Sequence, residues 1–533
     1  MKKIKWLVMI YLAGDNNLSE ECVYALTEMK RVGSTKDVAI FAQLDTGIHD
    51  NTPLFIRQSL KPGQTKDELN EVRDQRAKTK ARSKGREKAP TYSEVIFNFV
   101  KDCVAQYDEI EHTMFILDGH ASGIVENFLR KEAADRIDSL SVPSLAQLIE
   151  RIDKELLGGE GIDILGLDTC LMSMGEVAYF VRNSAKVMIG AEGFEPLGGW
   201  PYGSVLSSVT EFARKNSADI RPLARKIVCD YIDFYSDYQA AGVSVDQSAC
   251  DLGESETLML AVKSLSQVLL PYLKKRQVNA QVRNALVLAH WEAQPYKNEQ
   301  YVDLYDFCER LRYYCPVEKD EIHRACQNVM NAVRGSAAEG ANAKDADDVF
   351  LFDSPVSRRV NFRDLDGFIL RSCYSGLTVQ YSFGVSIYFP WADKPAELGI
   401  YREVDFAVDS GWIEFLRAYL EATKREVRKG KGPLRDFEDN LTLGQFNVTS
   451  STFLFSNHKS GSENKSGSEN KSGSENKSGS ENKNLGNVIG SMRNPPTQFN
   501  QCVCTGDTNQ ESRKSKESGK QYKAARPRAR TRK

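Results

Sequence analysis

At 533 residues and 59.8 kDa the chain is too long for one compact core, since single cores stop growing at roughly 250–300 residues, so two folded units with tails are expected. Its 41% hydrophobic and 27% charged residues are those of an ordinary soluble protein, and no apolar run approaches the ~20 residues of a membrane-spanning helix, which speaks against a transmembrane protein. The formal net charge of −2 hides an asymmetry: residues 513–533 carry ten Lys/Arg against one Glu, so an acidic body precedes a basic tail.

Residues 6–13 follow two lysines, as in a short signal peptide, but run into Gly14-Asp15-Asn16-Asn17 with no small-residue cleavage site. They read as a buried first strand. Residues 4–13 and 38–45 are short runs rich in Val and Ile, and residues 20–30 between them have helical spacing. This β-α-β opening predicts a parallel sheet with helices on its faces. Residues 57–90 break the pattern: few are large and apolar, and residues 73–88 hold eight Lys/Arg against Asp74 and Glu87. They predict an exposed or disordered arm. The alternation then resumes, with a helix over 93–105, a strand over 113–117, and a helix over 144–157 with Ser144 as N-cap and Gln147 three residues on. A strand over 162–167, a helix over 171–181 and a strand over 187–191 follow, all strands short and apolar as if covered on both faces.

A second unit is expected from near Val243, with helices over 258–270 and 279–292 and a strand over 384–390, and with folded sequence ending near Thr423. The hexamer Lys-Ser-Gly-Ser-Glu-Asn then repeats four times over 459–482. With no apolar residue it cannot bury a core, so it predicts a flexible linker. Eleven cysteines, an odd number scattered over a long chain, do not resemble a small disulfide scaffold and predict a reduced, cytoplasmic setting. Cys502 and Cys504 lie close together, but no His or second Cys pair completes a zinc site.

Two strand ends carry chemistry. One is Thr113-Met-Phe-Ile-Leu-Asp118-Gly119-His120-Ala121-Ser122-Gly123, the other Gly161-Ile-Asp163-Ile-Leu-Gly-Leu-Asp168-Thr169-Cys170-Leu171-Met172-Ser173-Met174. Sites in open α/β sheets form outside the carboxyl ends of strands, so His120 and Cys170 are expected on one edge. A thiolate beside an imidazole is an acyl-transfer pair, and a helix beginning just after Cys170 would favour the thiolate. The competing reading is a buried structural cysteine and an unrelated loop histidine.

These segments resemble the clostripain-like cysteine peptidases, of the same broad superfamily as caspases and legumain. The resemblance extends to Tyr11-Leu12-Ala13-Gly14-Asp15-Asn16-Asn17-Leu18, to Gly199-Trp200-Pro201-Tyr202, to Asp303-Leu304-Tyr305-Asp306-Phe307 and to Gly411-Trp412-Ile413-Glu414-Phe415-Leu416, spanning roughly residues 1–420. It implies an α/β fold, a caspase-like three-layer α/β/α sandwich with a mostly parallel central sheet. That peptidase domain would cover 1–240, with 57–90 as an insertion. A smaller α+β domain over 241–425 and a disordered C-terminal tail over 426–533 would follow.

The resemblance also implies roles. Cys170 would be the nucleophile and His120 the general acid/base, with backbone N–H groups of Cys170 and Ala121 holding the oxyanion. Ala121 stands where the family usually has Gly, which leaves the donor intact unless the backbone needs positive φ. Cleavage after Arg or Lys is implied, with Asp168 in the S1 pocket; the alternative for Asp168 is a structural role in the nucleophile loop. Many relatives have an Asp before Gly-Trp-Pro-Tyr where this chain has Gly198, so Glu192 and Glu195 are candidate substitutes. Arg76 and Arg82 in the basic arm, and Arg130 and Lys131 between the two catalytic residues, are candidate processing sites of a zymogen, cut by itself or by an activating protease. The expected partners are protein or peptide substrates, with no membrane. Arg526, Arg528, Arg530, Arg532 and Lys533 offer nonspecific phosphate contacts to nucleic acid, against the alternative of a solvated tail. No cofactor or metal is expected; Ca²⁺, on which some relatives depend, has no EF-hand loop here to hold it. Walker, Gly-x-Gly-x-x-Gly and His-Glu-x-x-His motifs are absent. The second function class is a catalytically inactive scaffold of the same fold.

Overall fold

The computed structural model describes residues 2–45, 54–56, 91–129, 139–274, 278–335 and 365–428. Residues 57–90, the hexapeptide repeat and the basic tail lie outside the described residues. In chain order the strands are β1 (Lys3–Ala13), β2 (Val38–Asp45), β3 (Leu54–Phe55), β4 (Glu109–Asp118), β5 (Ile162–Asp168), β6 (Ala185–Gly190), β7 (Val245–Asp251), β8 (Pro295–Tyr296), β9 (Tyr301–Asp303), β10 (Ile369–Ser375) and β11 (Ser386–Tyr388). Eight of them form one sheet in the order β10-β7-β6-β5-β4-β1-β2-β3. The five at its heart, β2, β1, β4, β5 and β6, pair parallel. At the flanks β3, β7 and β10 pair antiparallel.

The central strands are apolar throughout because both faces are covered. Successive side chains of a strand point to opposite faces, and β1 shows the consequence. Leu7, Met9 and Tyr11 join one hydrophobic cluster with Phe115, Leu117, Leu165 and Leu167. Trp6, Val8, Ile10 and Leu12 join the other with Met114, Ile116 and Ile164. Helices Ser19–Val32, Tyr202–Lys215 and Arg221–Ser236 cover the second face, and Tyr92–Val104, Val142–Leu156 and Gly175–Val181 the first. This is the expected three-layer α/β/α sandwich with a mostly parallel sheet.

Three details differ from expectation. The helix expected from Ser144 starts at Val142, and its N-cap is Ser141, whose Oγ accepts the Ser144 N–H at 3.2 Å. Pro143 suits a first helical turn, where its missing N–H costs nothing, so the helix begins earlier. The helix after β5 starts at Gly175, not at Leu171. Most consequentially, β7 and β10 come from the stretch assigned to a separate domain over 241–425, yet they extend the main sheet beyond β6. One cluster of buried side chains runs from Ile4 to Ala422, across the 240/241 boundary. The rest of that stretch forms helices and the small antiparallel sheet β11-β9-β8, and its last helix, Trp412–Arg428, continues past Thr423. Among the described residues no helix is long and apolar enough to cross a membrane.

Candidate active site

β4 and β5 are paired in parallel with Leu117 opposite Leu167 and Asp118 opposite Asp168. His120 and Cys170 each lie two residues beyond the last pair, so the ladder itself delivers them to one edge. The Gly119 N–H donates to the Asp168 carbonyl at 3.2 Å, extending that register outward. Both residues line one cavity of about 500 Å³, together with Asn17, Asp118, Ala121, Glu126, Asp168, Phe194 and Glu195 among others.

The imidazole is oriented from β1. Asn17, in the loop after β1, places Oδ1 2.6 Å from His120 Nε2. An amide oxygen only accepts, so Nε2 carries the proton and Nδ1 is the unprotonated ring nitrogen. Ala121 is not among the described non-glycine residues with positive φ. Its methyl therefore fits the position without strain, and its N–H survives as a donor.

The thiol is held by a sharp turn. Leu171, directly after Cys170, has φ 63°, a left-handed conformation that a branched side chain adopts only under constraint. The constraint is visible: the Leu171 N–H donates to the Gly193 carbonyl and the Ser173 N–H to the Ala191 carbonyl, both at 2.9 Å. Because the helix begins only at Gly175, its dipole does not act at Cys170, and the expected stabilisation of the thiolate by a helix terminus is absent. The local donor is the Glu195 N–H, 3.3 Å from Cys170 Sγ. Burial pushes the Cys170 thiol above its ordinary value, the Glu195 amide offsets part of this, and the Asp168 charge adds to it. At rest Cys170 thus carries its proton.

The cavity is acidic. Asp168 Oδ2 accepts the Trp200 N–H at 2.9 Å and the Tyr202 hydroxyl at 2.8 Å. Glu195 Oε1 accepts Trp200 Nε1 and Gln247 Nε2, both at 3.3 Å. The other oxygens, Asp168 Oδ1 and Glu195 Oε2, are buried and accept from no other residue's N–H or hydroxyl. The two carboxyls are within hydrogen-bonding reach of each other, and both are raised, by burial first and for Glu195 by the Asp168 charge next. Two carboxyls meet in this way only by sharing a proton. Asp118, on the same wall, is also pushed well up by burial, by Asp168 and by Glu21.

Glu192 departs from expectation. It is fully buried and does not line the cavity. Its Oε2 accepts the Gly384 N–H at 2.7 Å and its own N–H donates to Asp246 at 2.7 Å. It shares its proton with Asp303 and braces the interior instead. Asn17 and Asp118 join the cavity lining without being among the expected site residues. Asp118 carried a signal, since it stands two residues before His120 as Asp168 stands before Cys170. Arg76, Arg82, Arg130 and Lys131 lie outside the described residues. Among the described residues no group of three or more His, Cys, Asp or Glu is arranged to hold a metal ion.

A model of the clostripain family of peptidases matches residues 10–425. No curated protein matches significantly. Solved structures similar to the chain include a secreted C11 cysteine protease from Bacteroides thetaiotaomicron in complex with an irreversible peptide inhibitor, at 15% identity and TM-score 0.48, covering 77% of this chain and 99% of that one. A second structure of a secreted C11 protease from that organism, called iotapain, is 14% identical with TM-score 0.47, covering 76% and 99%. An inactive zymogen C11 protease from Parabacteroides distasonis is 17% identical with TM-score 0.40, covering 76% and 98%. The cytoplasmic setting expected from the cysteines does not stand beside the two proteins described as secreted. The nine described cysteines are free thiols, mostly buried, and buried thiols pack as small apolar groups whatever the compartment.

Proposed function

The chain belongs to the clostripain family of cysteine peptidases, and from this premise we propose that it is an endopeptidase that cuts after Arg or Lys with Cys170 as nucleophile and His120 as acid/base. The observation that supports this reading best is the composition of the cavity. Cys170, His120, the buried acids Asp118 and Asp168 and the half-buried Glu195 share it. Two carboxyl oxygens there have no donor but the proton that Asp168 and Glu195 share, which a basic side chain would displace. A guanidinium or ammonium group supplies the missing donors and the counter-charge together.

In this reading the reaction runs as follows. His120 Nδ1 takes the proton from Cys170 Sγ as the thiolate attacks the carbonyl carbon. The oxyanion receives the N–H groups of Cys170 and Ala121. The imidazolium returns its proton to the leaving amine as the C–N bond breaks, which leaves a thioester. His120 then deprotonates a water, which hydrolyses the thioester and restores the thiol. Asn17 keeps Nε2 protonated throughout. The test is cleavage of fluorogenic peptides ending in Arg, Lys or Asp by wild type, Cys170→Ala and His120→Ala. Arg and Lys peptides are expected to be cut by the wild type, and cleavage to drop at least ~10³-fold in either variant. Cleavage by Cys170→Ala, or a preference for Asp, would sink the proposal.

We further propose that the chain is a zymogen matured by cutting after Arg130 or Lys131, or in the basic arm at Arg76 or Arg82. Phe128 and Leu140 exchange two backbone hydrogen bonds, of 2.7 and 2.9 Å, so both flanks of residues 130–138 stay anchored if the chain is cut between them. Asn127, just before this bridge, lines the cavity. Full activity of a chain whose intact mass shows no cut would rule this out.

A further inference from the structure

The small sheet β11-β9-β8 touches both catalytic loops. At one end, the Ser386 N–H of β11 donates to the Ser173 carbonyl at 3.0 Å, three residues beyond Cys170. At the other end, two side chains converge on the Ser122 carbonyl, two residues beyond His120. Lys297 Nζ donates to it at 2.8 Å and the Tyr301 hydroxyl at 3.1 Å. Lys297 also pairs with Glu126, a cavity residue, at 2.5 Å.

This contact is built with unusual local cost. Lys297, Asn298 and Glu299, the turn between β8 and β9, have φ of 46°, 54° and 62°. Asn298 tolerates the left-handed region, but Lys297 and Glu299 beside it are disfavoured there, by roughly 1 kcal/mol or more each, and persist only where surrounding contacts fix them. The His120 loop is shaped to match. Gly123 has φ +82°, and a Cβ there would sit 2.5 Å from the Tyr301 ring. Tyr301 is fully buried, and the Lys297 side chain is only 14% exposed. A desolvated ammonium and a buried phenol on one carbonyl fix that peptide far more firmly than a solvated loop would be held.

We propose that Lys297 and Tyr301 are positioning residues for catalysis, and that the β11-β9-β8 sheet is the jig that fixes the His120–Ala121 backbone relative to Cys170. Neither side chain lines the cavity, so neither touches the substrate. The inference rests on the roles proposed for His120 and Ala121. Its consequence is that donor geometry at the oxyanion is set by residues some 175 positions further along the chain.

The experiment uses the full chain and the variants Tyr301→Phe, Lys297→Met and Lys297→Arg. Four quantities are measured on each: kcat and KM for the best peptide amide, affinity for the matching peptide aldehyde, alkylation of Cys170 by iodoacetamide, and the thermal midpoint. The aldehyde forms a hemithioacetal that needs the oxyanion donors; alkylation does not. A misplaced donor costs ~10–100-fold. In Tyr301→Phe and Lys297→Met, kcat and aldehyde affinity are therefore expected to fall together by that factor, with KM and alkylation within about twofold, while Lys297→Arg recovers most of the loss. Unchanged kcat and aldehyde affinity in both would overturn the proposal. So would an equal loss of alkylation, which indicates general collapse of the site. Should a variant fail to fold, Asn298→Val, at an exposed position outside the cavity, strains the left-handed turn that carries Lys297 without touching the core, and a selective loss of aldehyde affinity is expected there too, its absence counting against the jig. Failure of the underlying roles looks different, because His120→Ala would then retain activity.

Discussion

Asp168 and Glu195 stand as a proton-sharing pair in the cavity, and a basic side chain pairs fully only with their ionised forms. Both are raised by burial, so cation binding must release a proton, and the sign of the pH dependence follows. KM for an Arg peptide is expected to fall as pH rises from 5 to 8, while that of the citrulline analogue stays flat. Glu195→Gln is expected to raise KM for Arg ~10–100-fold, the worth of one charged hydrogen bond. A KM for Arg that rises with pH would contradict the shared proton. The residues of this site were unequally legible. His120, Cys170 and Asp168 could be read because strand ends announce themselves as apolar runs that stop. Glu192 and Glu195 could not be told apart, being three residues apart on one loop. Only the backbone path turns Glu195 to the cavity and Glu192 into the interior. Asn17 was hidden because its partner lies 103 positions away.

At the scale of elements, the segment behind Cys170 shows where local pattern falls short. The apolar run Leu171-Met172-Ser173-Met174 has helical spacing, yet it forms a turn, because the 191–193 backbone captures its N–H groups. The helix then starts at Gly175, and Glu176 in its first turn anchors the later part of the chain. Its Oε1 accepts the Tyr388 N–H at 2.8 Å and the Tyr401 hydroxyl at 2.7 Å. Burial, opposed by these two donors, pushes Glu176 up to about 7. A carboxyl raised in the fold contributes stability that is fully present below its unfolded value of roughly 4.3 and is lost as pH climbs through the folded one. The thermal midpoint is therefore expected to fall between pH 5 and 8. Glu176→Gln, which keeps the shape of the neutral acid, is expected to reduce that fall. Asp246 and Asp306, each raised to about 6, contribute to the remainder. Melting curves at both pH values decide it, and an identical fall in wild type and variant would refute the role.

For the whole molecule, length suggested two cores, and local patterns could place the helices and strands of each half. They could not reveal that β7 pairs with β6 and β10 with β7, because partners 58 to 130 residues apart leave no local trace. The pairing has a physical consequence. A chain ended at residue 240 would leave β6 as an open, flat, apolar edge, with Met188 and Ile189 deprived of their partners Cys250 and Ala249. It would also bare the face now covered by Leu258, Val262 and Leu265. Exposed edges of this kind template aggregation. Such a fragment is expected to be insoluble or to melt without a cooperative transition, even though it holds both His120 and Cys170. A chain ended at residue 428 keeps every buried side chain described here and is expected to retain its melting midpoint within ~2 °C and its kcat/KM within about twofold, since surface changes away from packed features rarely exceed ±0.5 kcal/mol. Scanning calorimetry on the two chains separates the possibilities. Cooperative melting of the 1–240 fragment would mean that β7 and β10 are additions to a self-sufficient sheet. Its collapse would mean that the catalytic edge exists only once the chain has returned, after residue 365, to close the sheet beyond β6.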